Sequence, residues 1–158
     1  AGRAVTVRFA APVTRNHPVM LITRQQLGEH AAMAMLAAAR EKARALGVPQ
    51  NIAIVDPAGH LLAFCRMDGA KFHSFDTALA KAVTAASTGA ASGAAPPDAG
   101  VLVGITTRGR FTNMRGGLPA IVDGETVGAV GVGSGTPEQD VAVAEAALAA
   151  LAKTIGAR

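Results

Sequence analysis

A chain of 158 residues is long enough to bury one core without disulfides, and its single cysteine, Cys65, cannot close an internal bridge. Half of the residues are apolar, yet there is no Trp, no Tyr and only five Phe, so the core falls to Ala, Val, Leu, Ile and Met and little is left for stacking bases. The formal charge of +4 comes from scattered Lys and Arg with no basic stripe, which argues against nucleic acid and suits an anionic small molecule.

No window approaches the roughly 20 apolar residues of a membrane span. With nothing pointing to an oxidising compartment, the cytoplasm is the expected location. Residues 1–20 read as an N-terminal arm: AVTVRFA has the pattern of an extra edge strand, and Pro12 and Pro18 oppose a helix. The domain itself is placed at 21–158.

Thr23-Arg-Gln-Gln26 has the form of a capping box and predicts a helix running to Leu46, stopped by Gly47 and Pro49, with Leu27, Ala31, Ala34 and Ala38 on one face. NIAIVD (51–56) and LLAFCRMD (61–68), joined by the short PAGH, predict two adjacent antiparallel strands. A second helix follows from FHSFDTALAKAVTAAST, with Ser74 as its cap and Phe75, Leu79, Ala82, Val83 and Ala86 facing inward. The small, Pro-containing stretch 89–100 reads as a surface loop, and VLVGITTRGRFTNMR after it fits either a short helix or irregular chain.

LPAIV (118–122) and ETVGAVGV (125–132) flank Asp123-Gly124, a two-residue hairpin signal. Thr136-Pro-Glu-Gln139 is a second capping box, opening a final helix through about Ile155. The order α-β-β-α-loop-β-β-α belongs to the α+β class, an antiparallel sheet carrying helices.

Taken together, VDPAGHLLAFCRMDGA, the helix with ALAKAVTAA, and GGLPAIVDGETVGAVGVGSGTPEQDVAVAEAAL resemble the GlcG/HbpS family, to which the haem-binding C-terminal domain of PduO-type proteins is related. The likeness spans residues 21–153 in order and spacing. It implies a profilin-like α/β/α layered domain around a five-stranded antiparallel sheet, assembled into even-numbered homo-oligomers. For some members it implies haem as cofactor, held by a His on the first helix, which here is His30. Two departures stand out: Gly133-Ser134-Gly135 replaces the usual Ser-Gly-Gly, and 89–115 follows no family pattern.

The residues themselves raise a carboxylate or propionate cradle. Gly133, Ser134, Gly135 and Thr136 precede a helix whose first amides lack helical partners, and Arg115-Gly116-Gly117 starts the opposite strand of the hairpin. Folding at Asp123-Gly124 returns both glycine sets to one sheet edge, where Arg115 could reach the same anion. The other reading is that Thr136 and Gln139 satisfy those amides and Glu138 repels an anion.

Thr77, Lys81, Thr84 and Thr88 form a polar stripe with the spacing of a solvated helix face, although Lys81 lies in the block shared with the family. Asp68 and His73, with Arg66, bracket a strand end and a helix start, where sites are common. His30, beside Leu27 and Ala34, could offer iron an imidazole nitrogen or be a partly buried structural His.

Two functions therefore stand. One is a small-ligand-binding protein that binds or handles haem, with His30 on the metal. The other is a cofactor-independent isomerase, hydrolase or lyase acting on a small carboxylic acid, with Lys81, His73, Asp68 and Glu138 as its acid–base groups. A small Ala- and Gly-rich domain also leaves apolar surface that a homo-oligomer would cover.

Overall fold

The computed structural model describes residues 22–156. The strand-like arm read over 1–20, and residue 21 that opens the domain, lie outside the described residues. Four helices and four strands follow in chain order: α1 (Glu29–Ala45), β1 (Asn51–Val55), β2 (Leu61–Arg66), α2 (Ser74–Thr88), α3 (Pro97–Thr106), β3 (Gly117–Val122), β4 (Glu125–Gly133) and α4 (Pro137–Gly156). The strands make one antiparallel sheet in the order β2-β1-β4-β3.

The described residues thus hold four strands where the family likeness implies five. Between α2 and β3, residues 97–106 wind into α3, and side chains tie down the chain that follows: Thr112 N–H donates to Thr84 Oγ1 at 2.9 Å, and Gly117 N–H, at the start of β3, to Ser92 Oγ at 2.8 Å.

α1 begins at Glu29, six residues beyond the expected cap at Thr23. Leu27 accounts for the delay: its N–H donates to the Val127 carbonyl at 2.8 Å and its side chain enters the core, so the chain up to Gly28 is held extended along β4. The buried face is set by Ala32, Met35, Leu36, Ala39 and Ala43, beside the expected Ala31, Ala34 and Ala38 stripe, because the larger apolar area of Met35 and Leu36 decides which way the helix rolls. Its end follows expectation. Val48 N–H donates to Ala43 O and Gly47 N–H to Arg44 O, a Schellman pair that requires the left-handed conformation found at Gly47, φ 67°.

α1 and α4 cover one face of the sheet around Ile52, Ile54, Val130 and Val132, and α2 covers the other around Ala53, Val55 and Ala129. On the second face the register pair Gly117 and Gly131 leaves a smooth patch against the helix. A Cβ on Gly131 would lie 2.1 Å from Ala78 O, and one on Gly117 would lie 2.2 Å from Lys81 O. Without those side chains α2 sits directly on the strands. That close approach carries Lys81 into the protein.

The inward face of α2 accordingly differs from the expected one. Ser74, Ala78, Lys81, Thr84 and Ala85 are buried with Ala82 and Ala86, while Phe75 is exposed and Leu79 and Val83 are half-buried. Ser74 is the first helical residue, with His73 at the cap position and no side-chain cap bond. The β3–β4 turn does match the sequence, with Asp123 and Gly124 both at positive φ (50° and 82°). No described helix is long and apolar enough to cross a membrane.

Candidate functional site

The two glycine openings meet, and a carboxylate lies between them. Val132 N–H donates to Gly116 O at 2.9 Å, which closes the hairpin's open end. Cβ atoms built on Gly116 and Gly135 would lie 2.7 Å from Asp140 Cβ and 2.8 Å from Asp140 Oδ1. Asp140, in the first turn of α4, accepts from Gly135 N–H at 3.0 Å and from Gln50 Nε2 at 3.0 Å through Oδ1, and from Lys81 Nζ at 2.7 Å through Oδ2. The anion at the helix N-terminus belongs to the chain itself.

Lys81 completes the arrangement by donating to Val132 O at 2.8 Å, so its ammonium bridges α2, β4 and α4. The pair is buried, with side chains 6% and 3% exposed. Burial raises the Asp140 carboxyl above its ordinary value; the bond and charge of Lys81 and the Gly135 amide oppose that shift without cancelling it. The middle of the α2 polar stripe, Lys81 and Thr84, is therefore an internal seam, while Thr77 is half-buried and Thr88 exposed. Thr84, also buried, donates to Ala80 O and accepts from Thr112 N–H, tying down the chain after α3.

The other residues of the cradle are committed close by. Thr136 N–H donates to Gln139 Oε1 at 2.9 Å and Gln139 N–H to Thr136 Oγ1 at 3.3 Å, the two halves of a capping box. Ser134 Oγ accepts from Lys71 N–H at 2.8 Å. Arg115 turns outward to Glu138, 3.1 Å away, and both are exposed. Gly133 is buried against Ser74 and Thr77.

The four groups considered for acid–base work are not gathered in one place. Lys81 is buried on Asp140, Glu138 pairs with Arg115 at the surface, and Asp68 and His73 are exposed on the β2–α2 connection. Sequence reasoning passed over three of the residues that organise this region. Asp140 was visible as the last acid of TPEQD, four residues after the cap. Gln50 and Ser92, both buried, gave no signal beyond being polar residues flanking apolar or small ones.

His30 stands elsewhere, in the first turn of α1, exposed, beside a hollow of about 300 Å³ that it lines with Gly28, Ala31, Thr154 and Ile155. The small Gly28 and Ala31 leave the imidazole accessible, and Ile155 supplies apolar surface. A single accessible imidazole on a partly apolar wall is a donor of the kind that haem iron takes from a protein. For a bare ion the donors are too few: among the described residues no group of three His, Cys, Asp or Glu is placed to hold one.

A larger cleft of about 560 Å³ opens at the far end of α2, between Ile22–Gln25, Ala86–Gly89 and the start of β4. Its walls carry Arg24, Glu125 and several hydroxyls but no His, Met or Cys. Among the described residues, its walls hold no side chain of the kind that ligates haem iron.

Against this geometry, residues 27–149 match the model of a family described as haem-degrading protein HbpS-like. The chain belongs to the HbpS-like family. Among curated relatives, this HbpS-like chain is 40% identical over 123 residues to an uncharacterized 15.0 kDa protein of the dhaT-dhaS intergenic region of Citrobacter freundii, covering 75% of this chain and 87% of that one. It is 37% identical over 111 residues to protein GlcG of Escherichia coli K12, covering 70% and 83%. Among solved structures, PduOC crystallised as a haem complex superposes on it with a TM-score of 0.73 at 31% identity, covering 79% of this chain and 94% of that chain. The HbpS-like match includes Lys81, Asp140 and His30.

Proposed function

We propose that this protein binds haem, and that the His30 imidazole would hold the iron at the surface between α1 and α4. The observation that carries the reading is the exposed His30 beside its hollow, in an HbpS-like chain related to a protein crystallised with haem. Gly28 and Ala31 keep bulk away from the ring face, and Ile155 offers apolar contact. Bound haem would supply the redox-active iron.

The structure favours binding over cofactor-free catalysis for a specific reason. The lysine that would act as base is buried and engaged by Asp140 and Val132, and the remaining acid–base candidates lie apart from it. The glycine loops serve an internal carboxylate, so an external anion would have to displace it.

Hemin titrated into the protein should give a Soret band, and His30→Ala should weaken or shift it while circular dichroism stays unchanged. A band unaffected by this substitution would remove His30 from the ligand role. No band in the unmodified protein would remove the function. Self-association in even-numbered assemblies belongs to the same proposal and is supported by α3, where Leu102 and Ile105 are 66% and 73% exposed. Light scattering that shows only monomer at micromolar concentration would reject it.

A further inference from the structure

The β2–α2 connection is short, exposed and firmly anchored. Lys71 is fixed from two sides, its N–H donating to Ser134 Oγ at 2.8 Å and its carbonyl accepting from Asn51 Nδ2 at 2.9 Å. Two turns, Ser74 N–H to Lys71 O and Phe75 N–H to Phe72 O, then lead into α2. On this held backbone Phe72 is 78% exposed and its ring meets His73 edge-on, the centroids 5.8 Å apart. One turn on, Phe75 is 40% exposed with its ring seated against Phe64 at 4.7 Å.

In a chain with five Phe and no other aromatic rings except histidines, placing two Phe at the surface beside an exposed His is an expensive arrangement unless something covers it. The chemistry on offer is an imidazole, two apolar ring surfaces and the Lys71 ammonium within three consecutive residues and the next turn. A flat apolar ring carrying a metal and carboxylates satisfies each of them: iron for the imidazole, the macrocycle for Phe72 and Phe75, a propionate for Lys71.

We infer that Lys71, Phe72 and His73 form a second porphyrin contact, with His73 as an iron ligand independent of His30. The inference rests on the haem reading above. It does not share its site, because Ser134, which holds this loop, lies just before α4, whereas the His30 hollow is walled by Thr154 and Ile155 at the other end of that helix. Twenty helical residues span about 30 Å. One porphyrin in a single protomer cannot reach both imidazoles.

The test is a hemin titration of the unmodified protein, His30→Ala, His73→Ala, Phe72→Ala and the double His variant, read by Soret absorbance, by electron paramagnetic resonance of the ferric iron, and by stoichiometry, with circular dichroism confirming the fold. Two equivalents should bind per chain, each single His variant should retain one with the ferric signal of the surviving site, and the double variant should retain neither signal. Phe72→Ala should weaken the His73 site by roughly two- to tenfold, the range that about 0.5–1.5 kcal/mol for an aromatic contact corresponds to. Iron-free protoporphyrin IX separates the parts: its fluorescence quenching on binding should depend on Phe72 and not on His73.

One equivalent that is lost with His30 and unaffected by His73→Ala overturns this inference and leaves the haem reading standing. A Soret band absent from every protein overturns both. If Phe72→Ala and His73→Ala change the sedimentation coefficient and leave the hemin titration untouched, the patch is a contact between copies of the chain and the inference is overturned.

Discussion

Lys81 Nζ and Asp140 Oδ2 lie 2.7 Å apart, joining the middle of α2 to the first turn of α4 inside the protein. Removing one member leaves the other charge buried without its partner, which costs about 3–5 kcal/mol. Lys81→Ala and Asp140→Ala should each lower the free energy of unfolding, measured in urea, by that amount. The double variant should lose clearly less than the sum, and strict additivity would refute the coupling.

Gly131 has no room for a side chain, since a Cβ would meet backbone atoms of Ala78 and Ala82 that cannot rotate away. Gly131→Ala should cost at least the roughly 1–3 kcal/mol usual for overpacking a core. Thermal unfolding within a degree of the unmodified protein would show that α2 lies further from the sheet than the structure places it.

The β1–β2 turn is sensitive to acid. Asp56 is pushed up by burial, but hydrogen bonds from the backbone and ring of His60 and from the Ala58 amide more than offset this, bringing it below its ordinary value of 3.8. A carboxylate held low in the folded state stabilises it above the unfolded value, and that contribution disappears as pH falls through the folded one. Asp56→Asn should therefore flatten the fall in stability below about pH 4, measured by urea unfolding across pH, where the ordinary aspartate value lies. An acid limb identical in both proteins would assign that loss to other carboxyls.

Arg115 and Glu138 make an ion pair in full view of solvent. Pairs of this kind are worth about 0–1 kcal/mol and are screened by salt. Arg115→Ala should leave stability within about 1 kcal/mol, with the small difference vanishing at molar salt. A larger effect that persists in salt would mean that the aliphatic stem of Arg115, packed over Gly93, carries the contribution.

The elements that the sequence announced well are those whose signals are local. The turn at Asp123-Gly124, the stop at Gly47 and the capping box at Thr136 each need a residue type at a fixed offset, and each is found. The Thr23 box shows the limit of that logic: its pattern is as good as the one at Thr136, but Leu27 gains more by entering the core and bonding to β4 than a helix turn could give it. The meeting of the two glycine sets could be argued from strand pairing alone. What fills the space could not, because Asp140 and Lys81 are far apart in the sequence and the stripe bearing Lys81 has the spacing of a wet face. Its burial is decided by Gly117 and Gly131, across the sheet.

The 59 residues separating Lys81 from Asp140 also set an order of assembly. A chain growing from its N-terminus makes α2 long before α4 exists, and until the last helix arrives the ammonium has no carboxylate to meet in the interior. Docking of α2 on the sheet before the C-terminal helix is in place would bury that ammonium without its carboxylate, so the native seating of α2 and of α4 favour one another.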